Sequence, residues 1–176
     1  MIDLTEANPN LWKEIMGDKA GGDIRKCYNC ATCISGCPAA EGKPPLLIRS
    51  LVRKILLGME DDLLNDETPW SCVSCNQCEE MCPQGVHPFE VGLAIRRWQC
   101  RKDQTFLPPS LPELWDIGHT QSVHKQGTLR KPLGLEEAPM SVAIMPEEME
   151  GFHKMLKQTK IIQDNSFMFK DEEKKG

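Results

Sequence analysis

Residues 27–38 read CYNCATCISGCP, and residues 72–83 read CVSCNQCEEMCP. Both stretches have the spacing C-x2-C-x2-C-x3-C followed by proline, and the second starts 45 positions after the first. This spacing is typical of chains that hold cubane iron–sulfur clusters through cysteine thiolates. It predicts that the fold is organised around two metal clusters.

The spacing also predicts which cysteines bind which cluster. The first three cysteines of each run are three residues apart, so one tight loop places their sulfurs around three corners of one cube. The fourth begins a segment that leads away from the loop, so it reaches the other cube more easily than its own. We therefore expect two [4Fe–4S] clusters with crossed ligands. The first cluster takes Cys27, Cys30, Cys33 and Cys82, and the second takes Cys72, Cys75, Cys78 and Cys37.

An alternative interpretation of the cysteines is a pair of structural zinc sites. Structural zinc is usually bound by ligand pairs separated by a longer loop, and two quartets that each end in proline fit that pattern poorly. Disulfides are the other alternative, and they are disfavoured in the reducing compartment that we expect for this chain. The spacing favours iron–sulfur clusters over both.

Eight cysteines supply all the thiolates that two cubane clusters need. A catalytic cubane keeps one iron free and therefore uses three cysteines. We expect both clusters to be coordinatively closed, with no catalytic residue in the chain, which favours electron transfer over catalysis. Two other functions stay open at this point: a cluster-based redox sensor, and an enzyme with an open iron.

The overall composition excludes several classes of partner. The 176 residues carry a formal net charge of −5 without a long basic run, which argues against nucleic acid. No stretch of about 18 apolar residues occurs, so we expect no membrane span. The N-terminal sequence lacks the pattern of a signal peptide. We therefore expect a cytoplasmic protein.

The segments around the cysteine runs have helical rather than strand periodicity. Between the runs, PPLLIRSLVRKILLG places apolar residues at helical spacing, with two prolines suited to the start of the helix and Gly58 to its end. After the second run, PFEVGLAIRRWQC repeats the theme, with His87 as the expected N-cap residue and Trp98 among the core positions. The predicted fold class is all-α: an α-helical ferredoxin with two [4Fe–4S] clusters, plus an extended C-terminal arm.

The composition divides the chain into three predicted parts. Residues 1–22 form a lead-in with a short helix, residues 23–102 form the cluster domain, and residues 103–176 form a Pro-rich arm with a short terminal helix. The arm has too many prolines for a long helix and too many apolar residues for a disordered linker. We expect it to bind another protein of the same complex; the alternative is that it folds back over its own domain. Cys100 has no counterpart in the repeat and is expected to be a buried structural thiol.

A family resemblance rests on the two runs and on the segment between them, LIRSLVRKILLGMEDDLLNDETPW. Over about residues 20–100 the chain resembles the C subunit of the heterodisulfide reductases. The resemblance implies a non-catalytic component of an oxidoreductase complex that relays single electrons between two partners. One partner is the A subunit, which carries flavin and iron–sulfur clusters. The other is the cysteine-rich catalytic B subunit, which reduces or forms a disulfide.

Related double-cluster domains occur in other complexes. An alternative is therefore an iron–sulfur relay component of a lactate, glycolate or glycerol-phosphate dehydrogenase. Several of those relatives carry a cysteine-rich domain with a Cys-Cys pair in the same chain. This sequence has no Cys-Cys pair, and only Cys100 follows the second run, which favours the resemblance to the heterodisulfide reductases.

Overall fold

The computed structural model describes residues 5–17, 23–108, 110–119, 128–136, 142 and 145–165. Within these residues the chain is helical and has no β-strand, which confirms the all-α fold class. The helices that build the fold are α1 (Leu11–Met16), α2 (Thr32–Ser35), α3 (Ile48–Leu57), α4 (Glu60–Leu64), α5 (Gln77–Glu80), α6 (Pro88–Lys102), α7 (Ser110–Ile117), α8 (Pro146–Lys157) and α9 (Lys160–Asp164). No helix in this described part is both long and apolar enough to cross a membrane.

The chain divides into two compact units, Met1–Phe106 and Leu107–Gly176. Both cysteine runs lie in the first unit. Of the predicted lead-in, residues 1–4 and 18–22 lie outside the described residues.

Helix α6 is the centre of the first unit. Its side chains Val91, Ala94, Ile95 and Trp98 are fully buried, and their spacing is that of one face of a helix. Helices α1 and α3 pack on α6. Burial of each large apolar side chain contributes about 1.5–3 kcal/mol, so this face is a main source of stability for the unit.

Helix α3 confirms the helix predicted between the cysteine runs. Its buried residues include Leu51 and Ile55. It ends at Leu57, and Gly58 is its C-cap residue, with a φ of +71° in the left-handed conformation that favours glycine. The two prolines precede the helix instead of opening it, because α3 begins only at Ile48. The Leu46 N–H donates to the carbonyl of Ala39 at 2.9 Å, which ties the preceding segment to the first cysteine run.

A buried glutamine on α6 fixes the segment that leads into the second run. Gln99 is fully buried, and its Nε2 donates to the backbone oxygens of Leu63 at 3.0 Å and Asp66 at 2.7 Å. Its Oε1 accepts a hydrogen bond from Trp70 Nε1 at 2.8 Å. Each buried polar group left unpaired would cost about 1–3 kcal/mol, so this network specifies the path of the chain towards Cys72.

The second unit has a small core of its own. Its buried side chains Leu111, Trp115, Leu156 and Ile162 come from α7, α8 and α9. The short helix predicted near the C-terminus is confirmed as α8. Residues 109, 120–127, 137–141, 143–144 and 166–176 of the predicted arm lie outside the described residues, and its binding to another protein stays a prediction.

Candidate iron–sulfur sites

The backbone repeats between the two cysteine runs with the offset seen in the sequence. A 3₁₀ turn ends just before the first cysteine of each run, at Ile24–Lys26 and at Thr68–Ser71. A four-residue helix then carries the third cysteine of each run, α2 in the first and α5 in the second. The repeat in sequence is therefore also a repeat in structure.

Non-glycine residues with positive φ recur at equivalent positions of the two cysteine loops. Asn29 and Ser74 have φ of 67° and 57°, and Ala31 and Asn76 have φ of 69° and 60°. Left-handed backbone costs a non-glycine residue roughly 1–2 kcal/mol, and such residues cluster at functional sites. Backbone of this kind forms concave nests of N–H groups that bind anions and iron–sulfur clusters.

The cysteines line two separate hollows in the first unit. The first hollow is lined by Cys27, Cys30 and Cys33 of the first run and by Cys82 of the second. The second hollow is lined by Cys72, Cys75 and Cys78 of the second run and by Cys37 of the first. The structure thus brings together the two sets of four that the spacing predicts; that these sets are the ligands stays a prediction.

The pKa values of two thiols reflect the same grouping. Burial, followed by the neighbouring thiols of the first hollow, raises the pKa of Cys33 to about 11. Burial, followed by neighbouring thiols that include Cys33 itself, raises the pKa of Cys78 to about 12. Cys33 and Cys78 belong to different hollows, and the helices that carry them, α2 and α5, are in contact, so the two hollows lie close together.

The donor set of each hollow fits a [4Fe–4S] cluster. Such a cluster is held by four thiolates, and each hollow has four cysteines in otherwise largely apolar walls. Pro88, at the start of α6, lines both hollows. Among the described residues, no three His, Cys, Asp or Glu side chains form a group that could hold a single metal ion.

Hydrogen bonds reach two of the cysteine sulfurs in the first hollow. The Val86 N–H donates to Cys82 Sγ at 3.4 Å, and Thr32 Oγ1 lies 3.2 Å from Cys30 Sγ. The Thr32 bond lowers the pKa of Cys30. Bonds of this kind to ligand sulfurs are one of the means by which proteins set cluster potentials.

An arginine on α6 anchors the start of the second run. Arg96 donates from Nε to the Pro69 carbonyl at 2.8 Å and from Nη2 to the Cys72 carbonyl at 3.0 Å. Its guanidinium also lies over the Trp70 ring, 5.4 Å from the centroid. Arg96 therefore fixes the first cysteine of this run to the central helix, a role that helical periodicity does not indicate.

His87 stands at the predicted N-cap position of α6, but its side chain does not cap the helix. Its Nδ1 instead contacts Glu79 Oε1. Glu79 Oε2 accepts the hydrogen bond from the Phe89 N–H at 3.3 Å, so this glutamate caps α6 from the neighbouring cysteine loop. Sequence reasoning missed this role because Glu79 lies ten residues before the amide that it accepts from.

Cys100 lines neither hollow. Its Sγ donates to the Phe106 carbonyl at 3.4 Å, and burial raises its pKa. Both observations are consistent with the predicted structural role of this thiol.

Comparison with known proteins indicates the same cofactor as the geometry of the two hollows. Residues 23–86 match the family model of the 4Fe–4S dicluster domain. The fold and the two hollows define this chain as an iron–sulfur electron-transfer protein with two [4Fe–4S] clusters.

Three curated relatives identify the family. A protein of Archaeoglobus profundus that is named as similar to the C subunit of heterodisulfide reductase is 37% identical over 84% of this chain and 79% of the relative. The C subunit of the H(2):CoB-CoM heterodisulfide,ferredoxin reductase of Methanothermobacter marburgensis is 31% identical over 80% of this chain and 77% of the relative. The iron–sulfur C subunit of the CoB–CoM heterodisulfide reductase of Methanopyrus kandleri is 26% identical over 88% and 82%. The chain belongs to the family of heterodisulfide reductase C subunits.

Proposed function

We propose that this chain is the electron-relay component of a heterodisulfide reductase-type complex. It passes single electrons through its two clusters, from or to the A subunit with its flavin and iron–sulfur clusters. At the other end it serves the cysteine-rich catalytic B subunit, which reduces or forms a disulfide. The proposal rests on the two hollows of four cysteines each, in a chain that is 37% identical to a relative named for the C subunit.

The bound clusters supply one-electron redox chemistry, and the chain supplies their environment. The largely apolar walls of the hollows would limit the access of water to a bound cluster. The hydrogen bonds from the Val86 N–H to Cys82 Sγ and between Thr32 Oγ1 and Cys30 Sγ would adjust the charge on these sulfurs. With all eight repeat cysteines assigned as ligands, no iron is left open for substrate, so the chain relays electrons without reacting with the disulfide.

Electrons enter and leave at the exposed edges of the two loops. Cys30 and Cys75 are the exposed cysteines of the two runs. Tyr28 and Val73, which follow the first cysteine of each run, are 60% and 65% exposed. These equivalent surfaces support one contact for each of two redox partners, since each lies beside a different hollow.

The crossed ligand sets are part of the proposal: Cys27, Cys30, Cys33 and Cys82 for one cluster, and Cys72, Cys75, Cys78 and Cys37 for the other. Three serine variants test them. Cys82→Ser is expected to alter the same cluster signal in electron paramagnetic resonance (EPR) as Cys30→Ser, although Cys82 lies in the second run. If Cys82→Ser instead reproduces the spectrum of Cys75→Ser, each run binds its own cluster and the crossing is wrong.

Anaerobic co-purification of the native protein tests the function. Iron, sulfide, zinc and flavin are counted in the same sample. The expected result is about eight irons and eight sulfides per chain, with flavin present only when companion proteins co-purify. Two zinc ions and no sulfide would contradict electron transfer, and a cluster-loaded chain that always purifies alone would contradict the complex.

Electron flow gives a second readout on the assembled complex. The reduced A subunit is expected to bleach the visible absorbance of this chain, and disulfide is expected to restore it only when the B subunit is present. Recovery of the absorbance without the B subunit would contradict the relay, because this chain would then react with the disulfide itself.

A further inference from the structure

The residue before the fourth cysteine differs between the two repeats. It is Gly36 in the first run and Met81 in the second, and the two positions are equivalent because they are 45 residues apart. In the structure these equivalent positions meet each other. A Cβ placed on Gly36 would lie 2.5 Å from Met81 Sδ and 3.4 Å from Met81 Cε. The methionine side chain therefore occupies the space that a side chain at position 36 would need.

The backbone of Gly36 does not itself require glycine. Its φ is −102° and its ψ is 6°, values that other L-residues can adopt. A Cβ at this position would also lie 3.2 Å from Cγ of Gln77, an exposed side chain. Glycine at position 36 therefore leaves space for the tip of Met81, a flexible, half-buried side chain that would have to move if a methyl group were added.

This contact joins the two elements that carry the third cysteines of the runs. Gly36 is the C-cap residue of α2, which contains Cys33, and Met81 is the C-cap residue of α5, which contains Cys78. The two helices are in contact. The Met81 thioether fills the space beside Gly36, so a side chain at position 36 would change how these two helices pack.

We propose that Gly36 and Met81 form a joint that sets the separation of the two cluster sites. Both are positioning residues for electron transfer between the clusters, because tunnelling falls steeply with distance. The inference rests on the proposed crossed ligation, in which Cys37 and Cys82 follow directly after the two residues of the joint.

The test uses the full chain with both clusters and measures their separation by magnetic interaction. In the fully reduced protein, two paramagnetic clusters split or broaden each other's EPR signals when they are close. Gly36→Ala is expected to reduce this splitting, because the added methyl group displaces the Met81 thioether from its place between α2 and α5. Gly36→Ala/Met81→Ala is expected to recover it, because removal of the thioether vacates the space that the methyl group enters. Iron and sulfide are counted in every sample.

A matched glycine variant controls for the substitution itself. Gly151 lies in α8 with no atom within 4 Å of the position its Cβ would take, so Gly151→Ala is expected to leave the splitting unchanged. If the Gly36→Ala protein loses iron, the double variant decides between the two outcomes. Recovery of both the iron content and the EPR splitting supports the joint, and failure to recover either one overturns it. The proposal is also overturned by a wild-type spectrum without interaction, or by a splitting that Gly36→Ala leaves unchanged at full iron content. Failure of the proposed function would appear separately, as missing partner proteins in the co-purification.

Discussion

Glu79 places a carboxylate beside the second hollow, where water screens it only weakly. Its side chain is 16% exposed, and its charge is among the causes that raise the pKa of Cys78. A negative charge at this place opposes the addition of an electron to the second cluster. At the scale of single residues, Glu79 therefore caps α6, and we expect it also to lower the potential of the second cluster.

Glu79→Gln is expected to raise the midpoint potential of the second cluster by tens of millivolts. The glutamine keeps an oxygen for the Phe89 N–H but removes the charge. The measurement is an EPR-monitored redox titration that resolves the two clusters.

The neighbouring glutamate is the control for this prediction. Glu80 is exposed, so its charge is screened, and Glu80→Gln is expected to shift the same potential by a smaller amount. Equal shifts in the two variants, or a shift confined to the first cluster, would show that the Glu79 carboxylate does not set the potential.

At the scale of elements, the end of α3 depends on a close backbone crossing. Gly58 has positive φ, and a Cβ on it would collide with the backbone of Asn8. The Asn8 N–H donates to the Gly58 carbonyl at 2.8 Å, so the crossing is also hydrogen-bonded. The left-handed conformation alone would accept another residue at a cost in stability. The close approach of the Asn8 backbone leaves no room for a side chain at position 58.

Gly58→Ala is expected to destabilise the protein by roughly 3 kcal/mol, the sum of left-handed strain and steric overlap. Gly85→Ala separates the two contributions. Gly85 also has positive φ, at 58°, but nothing lies within 4 Å of its Cβ position, so only the strain of about 1 kcal/mol is expected. Guanidinium unfolding of the cluster-loaded protein, followed by circular dichroism under anaerobic conditions, measures both. A loss for Gly58→Ala no larger than that for Gly85→Ala would contradict the steric argument.

At the scale of the whole molecule, all eight repeat cysteines belong to the unit Met1–Phe106. The last residues of this unit contribute to it directly. The Phe106 ring stacks on Trp70 with centroids 6.0 Å apart, and the Phe106 carbonyl accepts from Cys100. The compact unit that carries the eight cysteines therefore includes the turn Gln104–Phe106.

A chain truncated after Phe106 is expected to keep about eight irons and to lose its association with partner proteins, because the predicted arm is absent. A second chain truncated after Lys102 is the matched comparison. It lacks the turn Gln104–Phe106 and leaves Trp70 uncovered, so we expect it to lose iron faster in guanidinium. Iron analysis and co-purification measure both effects. Loss of the clusters in the chain that ends at Phe106 would contradict the independence of this unit.

Much of the fold follows from patterns within short segments. The helices between and after the cysteine runs were predictable from apolar periodicity, and the end of α3 from Gly58, because both depend on neighbouring residues. The four-residue helices α2 and α5 were not predictable in this way, since they are too short to show a period. They are defined by the cysteine loops that contain them.

The sequence by itself determined the class of this protein: two cysteine runs of fixed spacing predict two [4Fe–4S] clusters, and helical periodicity predicts their all-α setting. Such signals are local, because ligand spacing and helical faces are properties of a few consecutive residues. Only the tertiary structure decided which side chains support the sites. Three contacts show this, and each joins residues from different elements. Gln99 bonds to the chain before Cys72, Glu79 caps α6, and Met81 lies against Gly36. Such contacts depend on how helices pack, and packing is a property of the folded chain as a whole.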